Sequence, residues 1–343
     1  MTDVIERPKS ALEHIRSKVG NRLDNRAKVM REVELHHIRT EYDDRIDEEL
    51  DLILAQIIGG NAAEGHAVFV TGASGAGKST LVRRRLEAHP ALEPYIDAYG
   101  NEKQIWLRVS TPPGCTMKGL GVQILQAAGY PMVKPPSETE VWSMVKDMLR
   151  RRDYHMIFFD EFQHVLKANT QKGVTHTTDT VKALMQDPSW PVWLFLVGIP
   201  ETLEVIHRDK DGQMERRSRR INIRDYGDDP NSLGRLAAVV QSFATAAELK
   251  VGFPVKTRFL RRLSHAGLNR FGMTIQLTKL AIEAAMNDMD SGDGLLVQHF
   301  AKGYRRMSDC EDEDNVFIAE DWHKIVREFA SDGRLTKTFE RTA

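Results

Sequence analysis

Gly72-Ala73-Ser74-Gly75-Ala76-Gly77-Lys78-Ser79 constrains this chain more than any other stretch of its 343 residues. It satisfies the phosphate-binding pattern G-x-x-x-x-G-K-[ST] at every fixed position, and its flanks supply the context that the pattern needs. The apolar run His66-Ala67-Val68-Phe69-Val70-Thr71 predicts a buried strand, and Thr80-Leu81-Val82-Arg83-Arg84-Arg85-Leu86-Glu87 predicts the start of a helix. A glycine-rich turn between strand and helix lets backbone N–H groups curl round phosphate oxygens at a helix N-terminus, where partial positive charge favours an anion. Gly72, Gly75, Ala76, Gly77 and Thr80 form the expected cradle. Lys78 is expected to reach the β- and γ-phosphates of ATP, and the Ser79 hydroxyl to ligate Mg²⁺. The competing reading is a glycine-rich turn that holds no ligand.

A nucleoside triphosphatase also needs a carboxylate for Mg²⁺ and a group that activates water. Met156-Ile157-Phe158-Phe159-Asp160-Glu161 offers both, with four apolar strand residues followed by two carboxylates. In open α/β sheets ligands bind at the C-terminal ends of strands. Asp160 is therefore the candidate Mg²⁺ ligand and Glu161 the candidate for activating water. The alternative is a helix-capping aspartate and a surface glutamate after a core strand.

Between 66 and about 225 the chain alternates strand-like runs with helical patterns. The predicted strands are His66–Thr71, Gln104–Ser110, Tyr154–Asp160, Pro191–Gly198 and Ile221–Arg224. The predicted helices are Ser79–Ala88, Met117–Ala128, Glu138–Arg151 and Thr178–Met185, with a polar, Thr-rich loop at Ala168–Thr178. Such alternation predicts a parallel sheet with crossover helices. Residues 1–60 form a charged helical extension, in which Ile46, Leu50, Ile53 and Leu54 share one face and Gly59-Gly60-Asn61 marks the end. Residues 61–228 are the expected nucleotide-binding domain. Residues 229–343 are the expected helical region and tail, with helices at Ser232–Leu249, Thr257–Ala266, Phe271–Asp288, Gly294–Met307 and Ala319–Ala330.

Composition narrows the setting. With 41% hydrophobic and 28% charged residues the chain reads as a soluble globular protein, and its net charge of −1 gives no global field for nucleic acid. Cys115 and Cys310 exclude a disulfide framework and are read as buried reduced thiols of a cytoplasmic protein. No apolar run approaches a membrane span, and the N-terminus carries no signal-peptide pattern. His36-His37 and His155/His164 lack partners at zinc-ligand spacing, and Trp106, Trp142, Trp190 and Trp193 fall in or beside predicted core elements.

Lys78 and Asp160 lie 82 positions apart with one strand candidate between them. This spacing resembles the AAA+ ATPases, in which an extra strand separates the two motif strands. The resemblance implies a five-stranded parallel sheet with flanking helices and an all-helical C-terminal lid. It also implies an arginine, shortly before the fifth strand, that reaches the γ-phosphate held by a neighbouring subunit. Gln213-Met214-Glu215-Arg216-Arg217-Ser218-Arg219-Arg220-Ile221-Asn222-Ile223 aligns with the family pattern Q-L-x-S-R-F-x-x-I-x-L. Arg217 falls on the arginine of that pattern and Arg216 is second, while Arg216 and Ser218 replace its serine and phenylalanine. The choice among Arg216, Arg217, Arg219 and Arg220 stays open, and four arginines in five residues also fit a basic surface cluster. Arg270, ahead of the Phe271–Asp288 helix, matches a lid arginine that contacts nucleotide. Gly198 stands where many AAA+ members place Asn, Ser or Thr, which leaves a sensing role there in doubt.

Asp160-Glu161-Phe162-Gln163-His164 and Val197-Gly198-Ile199-Pro200-Glu201-Thr202, with the compact lid, resemble the TniB/TnsC transposition regulators, which are related to MuB. That resemblance covers about residues 30–290. It implies an ATP-dependent homo-oligomer, a ring or a filament, that binds double-stranded DNA and disassembles on hydrolysis. The implied partners are a transposase and a target-selector protein, and no membrane. Lys118, after the second strand, is the favoured DNA contact. Arg83–Arg85, Arg150–Arg152, Arg216–Arg220 and Arg305-Arg306 are further basic clusters that also read as solvated helix faces. The alternatives are an AAA+ ATPase of replication-initiator or secretion type, or an ATP-gated scaffold that does not hydrolyse.

Overall fold

The structure is a computed structural model, and it describes residues 10–60, 64–167, 171–209, 211–288, 294–329 and 335–341. Three N-terminal helices come first: α1 (Ala11–Lys18), α2 (Asn21–Leu35) and α3 (Glu41–Gly59). The elements that follow are β1 (Ala67–Gly72), α4 (Lys78–Ala88), a small hairpin of β2 (Tyr95–Ile96) and β3 (Glu102–Lys103), β4 (Trp106–Ser110), α5 (Met117–Ala127), α6 (Glu138–Arg152) and β5 (Met156–Asp160). After them come α7 (Gln163–Lys167), α8 (Gln171–Met185), β6 (Trp193–Gly198), α9 (Glu204–His207), α10 (Gln213–Arg216) and β7 (Ser218–Ile223). Helices α11 (Pro230–Ala246), α12 (Thr257–Ala266), α13 (Phe271–Asn287) and α14 (Val297–Ser308) precede an antiparallel pair, β8 (Ile325–Phe329) and β9 (Leu335–Arg341).

The five-stranded sheet has the order β4-β5-β6-β1-β7, and every pairing in it is parallel. The three inner strands are buried on both faces, which is why they read as unbroken apolar runs. The two outer strands alternate: Leu107 and Val109 point inward while Arg108 and Ser110 are exposed, and Ile221 and Ile223 are buried between exposed neighbours. Strand β6 lies between β1 and β5, so the loop after β1 and the carboxylates after β5 flank one intervening strand.

Residue alternation sends each inner strand into two cores. Phe69, Ile157, Phe159, Leu194 and Leu196 pack with α5, α6 and α8 on one face. Val68, Val70, Phe158, Phe195 and Val197 pack on the other face with Leu81, Val82 and Leu86 of α4 and with Ile46, Leu50 and Ile53 of α3. The predicted apolar stripe of α3 is thus a sheet-covering face, and Gly60 ends that helix in the left-handed conformation. Asn61 lies outside the described residues.

Contacts divide the chain into two units, one spanning Arg39–Asp225 and the other joining the residues before Arg39 to those from Tyr226 onward. The stretch 1–60 is therefore shared out: α3 belongs to the sheet unit, and α2 packs within the helical unit. There Val33 is fully buried, Arg26 bonds Glu283 at 3.0 Å, and Lys279 bonds Glu34 at 2.6 Å. Phe253, Phe259, Phe300 and Phe317 form an aromatic cluster within the same unit.

Two local expectations fail. The polar segment predicted as a loop at Ala168–Thr178 is helical from Gln171 onward, and 168–170 lie outside the described residues. Val174, Thr177, Thr178, Val181, Leu184 and Met185 are buried at helical spacing. The Thr177 and Thr178 hydroxyls donate back to the carbonyls of Gly173 and Val174, four residues earlier, so these threonines are satisfied inside a helix. The helix predicted at Ala319–Ala330 is instead a short turn, Trp322–Lys324, followed by β8, with Ala330 outside the described residues. Among the described residues no helix is long and apolar enough to cross a membrane.

Candidate nucleotide-binding site

The loop between β1 and α4 depends on backbone that only glycine adopts freely. Gly75 and Gly77 have φ of 79° and 97°, and Gly77 directly precedes the first residue of α4. Lys78 therefore begins the helix, buried at 5% exposure, with its ammonium donating to the Ala73 carbonyl at 2.8 Å. Ala76 is buried, and Thr80 is exposed on the first turn of α4.

The fold brings the second motif to the first. Ser79 Oγ donates to Asp160 Oδ1 at 2.5 Å, which joins residues 81 positions apart in sequence. Asp160 is the last residue of β5 and is 7% exposed. Its other oxygen accepts from Arg108 Nη2 at 2.9 Å, and the Arg108 guanidinium lies over the Phe158 ring at 5.6 Å. A hydroxyl and a carboxylate meeting at the start of a phosphate-binding helix are hard oxygen donors of the kind Mg²⁺ takes. The residues present thus fit Mg²⁺·ATP.

Glu161 follows with φ of +56°, a left-handed conformation uncommon for a side-chain-bearing residue. The cause is the next residue. Phe162 turns back into the core, fully buried 5.5 Å from the Phe159 ring, and its N–H donates to the Val197 carbonyl at 2.9 Å. Glu161 is left exposed at the tip of that reversal, and its carboxylate accepts from Gln163 Nε2.

The arginine candidates occupy the opposite end of the sheet. Ser218 pairs with Ala67 at the start of β1, whereas Gly72 pairs with Ile223 five positions on. At about 3.3 Å per residue the separation along the strand is roughly 16 Å. Arg217 is committed locally: it donates to Glu64 and to the Gln213 carbonyl, and the bond to Glu64 holds that carboxyl below its ordinary range while raising Arg217. Arg216 is exposed at the last position of α10. Arg219 and Arg220 are exposed on β7, and Arg220 pairs with Glu215.

Arg270 belongs to the helical unit, where it is the N-cap residue of α13. Lys118 sits in the first turn of α5 and donates to the Pro135 carbonyl at 3.3 Å. Much of the basic charge noted in the sequence is neutralised nearby: Arg83 by Glu87, Arg85 by Asp47, Arg151 by Asp147, Arg305 by Asp312 and Arg306 by Glu283. Neither cysteine is in a disulfide, both are buried, and burial pushes the Cys115 thiol up to about 11.

Sequence reasoning assigned no role to Arg108 or Gln163. The alternation of β4 places Arg108 on the exposed face with Ser110, but only the pairing of Ser110 with Asp160 shows that it meets the aspartate.

The TniB family (Bacterial TniB protein) matches residues 34–228, more than half of the chain. The chain belongs to the TniB family. The solved structures place this TniB protein in the AAA+ fold. The Aeropyrum pernix ORC2 protein, solved as ADPNP–ADP complexes, matches with a TM-score of 0.54 at 14% identity, over 77% of this chain and 67% of its own. Cdc6p from Pyrobaculum aerophilum matches with a TM-score of 0.53 at 14% identity, over 78% of this chain and 67% of its own. No curated protein matches the sequence.

Proposed function

We propose that this TniB protein is an ATP- and Mg²⁺-dependent ATPase that assembles on double-stranded DNA and regulates transposition. It recruits and stimulates a transposase and disassembles on hydrolysis. The observation that carries the catalytic part is the Ser79–Asp160 contact, which builds a pair of hard oxygen donors where the phosphate loop enters its helix. The nucleotides in the Aeropyrum pernix ORC2 structure support an adenine nucleotide in a site of this fold. The part concerning DNA and transposition rests on membership of the TniB family.

Each residue then has a physical task. Lys78 leaves the Ala73 carbonyl for phosphate oxygens, and the N-terminus of α4 favours the same negative charge. Ser79 and Asp160 would hold Mg²⁺, which would supply positive charge to the transferring phosphoryl group. Glu161 accepts a proton from the attacking water or orients it. Arg216 or Arg217, too far along β7 to serve the loop of its own chain, stabilises the phosphoryl group in a neighbouring copy. Arg270 contacts nucleotide from the helical unit, and Lys118 contacts DNA phosphate.

The test is electron microscopy of the protein with double-stranded DNA and a slowly hydrolysed ATP analogue, set beside steady-state ATPase with and without DNA. DNA-threaded rings or filaments are expected, with Glu161→Gln trapped in that assembly when ATP itself is used. Persistent monomers would sink the proposal. Assembly without turnover above the Glu161→Gln background would leave an ATP-gated scaffold in its place.

A further inference from the structure

We infer that Gln163 is the positioning residue for Glu161, and that Gly198 is glycine because the Gln163 carboxamide and the Thr202 hydroxyl occupy the space where its side chain would stand. This inference rests on the ATPase reading above and names a residue that reading does not contain.

Gln163 is 3% exposed, at the start of α7. A buried carboxamide must place both its donor and its acceptor. A carboxylate only accepts, so the end facing Glu161 is the NH₂ group, and the oxygen faces the other way. That oxygen accepts from the Ile199 N–H at 3.4 Å. The carboxamide thus bridges the tip after β5 to the first residue after β6. The backbone makes the same connection one residue earlier, through the Phe162 N–H and the Val197 carbonyl. Two links hold Glu161 against the end of β6, and only the Gln163 link touches its carboxylate.

Gly198 records the close approach. A Cβ placed there would meet Gln163 Oε1 at 2.3 Å and Thr202 Oγ1 at 2.3 Å, well inside contact distance. Gly198 does not have positive φ, so crowding and not backbone conformation excludes a side chain. Thr202 is fully buried, and its hydroxyl has no hydrogen-bond partner among the described residues. The pocket around the carboxamide therefore has unused hydrogen-bonding capacity, which is unusual for a site that serves packing alone.

The consequence is mechanistic. An exposed glutamate on a left-handed residue samples several rotamers, and water activation needs one of them. The Gln163 amide selects the rotamer by donating to the carboxylate.

The experiment measures nucleotide affinity and kcat for the wild type, Gln163→Ala, Gln163→Glu, Gly198→Asn, and Glu161→Gln as background. Gln163→Ala is expected to lower kcat by about 10- to 100-fold with nucleotide affinity within about twofold. Gln163→Glu keeps the size of the side chain but sets a carboxylate against Glu161 in place of the amide donor, so kcat is expected to fall as far as in Gln163→Ala. Gly198→Asn collides with Gln163 and loses activity. A merely structural glutamine lowers nucleotide affinity together with kcat, and that result overturns the inference. Wild-type kcat in Gln163→Ala overturns it as well. Wild-type turnover no higher than Glu161→Gln overturns the ATPase reading and this inference together. If Gln163→Ala does not fold, kcat against nucleotide affinity in Gln163→Glu decides.

Discussion

The two ends of the central sheet differ in kind. At the C-terminal ends of β1, β5 and β6 the polar side chains bond one another: Ser79 to Asp160, Arg108 to Asp160, Gln163 to Glu161. Glycines with positive φ open the loop that leads into Ser79. At the N-terminal end of β7 the charges diverge. Arg217 is tied to Glu64, Arg220 to Glu215, and Arg216 is exposed. The first end holds what a phosphate and a metal need, and the second presents a cation with nothing in its own unit to neutralise at the nucleotide loop. A transferring phosphoryl group needs both. On the proposed reading, one copy carries two halves of two different sites.

The largest expected effect tests that division directly. Arg216→Ala and Glu161→Gln are each expected to lower DNA-stimulated turnover by about 100-fold or more, with nucleotide still bound. Mixed in equal amounts they should recover activity, because a Glu161→Gln protomer lends its Arg216 to the intact site of an Arg216→Ala protomer. Random assembly makes one interface in four complete, so recovery should approach about a quarter of wild type. Turnover of the mixture equal to the mean of the two variants would break the comparison. Arg217→Ala separates the two candidates: losing the partner of Glu64 should lower the thermal midpoint, whereas Arg216→Ala should leave it unchanged.

Local pattern carried the first end a long way. Glycines at fixed spacing and four apolar residues before Asp160 are contiguous signals, and both motif segments formed the strands that their apolar runs predict. Contacts set by register were not legible. Arg108 meets Asp160 because β4 and β5 are neighbours, and Gln163 meets Gly198 because the turn after β5 folds onto β6. The helix at Gln171–Met185 was masked by threonines whose hydroxyls bond back to the helix backbone, an arrangement that composition scores as loop. The helical unit hid a different fact. Nothing in the sequence around Ile38 announces that α2 and α3 belong to different units, since both are charged helices and only Val33 against Ile46 and Leu50 tells which core each stripe fills.

A smaller effect sharpens the first end. Arg108 supplies a positive charge to the same carboxylate that is to hold Mg²⁺, so it competes with the metal for Asp160 Oδ2. It is 43% exposed, which softens the competition through solvent screening. Arg108→Ala is expected to lower the Mg²⁺ concentration at half-maximal turnover by about 3- to 10-fold. Arg108→Lys keeps the charge but not the planar fork and should fall between. An unchanged or raised Mg²⁺ requirement would make Arg108 a prop for Asp160 and not its competitor.

The smallest effect concerns acid, and it compares the sheet unit with the helical unit. His66 and His155 in the first unit and His265 in the second all titrate below the ordinary histidine value of 6.5, with burial as the leading cause. For His66 the charges of Arg219 and Arg217 add to it. His155 stacks on Trp190 at 4.3 Å between ring centres, and His265 lies 2.7 Å from the Ile325 carbonyl. A depressed folded-state value means that the unfolded chain binds the proton first. The stabilisation is therefore full above pH 6.5 and is lost as pH falls from 6.5 through the lower folded values, before the carboxylates near 4 take over. Between pH 7.5 and 5.5 the thermal midpoint is expected to drop by about 2–4 °C. His155→Gln should flatten that dependence for the sheet unit and His265→Gln for the helical unit, measured by calorimetry of the same chain. A midpoint that rises on acidification would contradict the sign for all three histidines. A flattening confined to His155→Gln would show that the sheet unit unfolds first and sets the stability of the nucleotide end on its own.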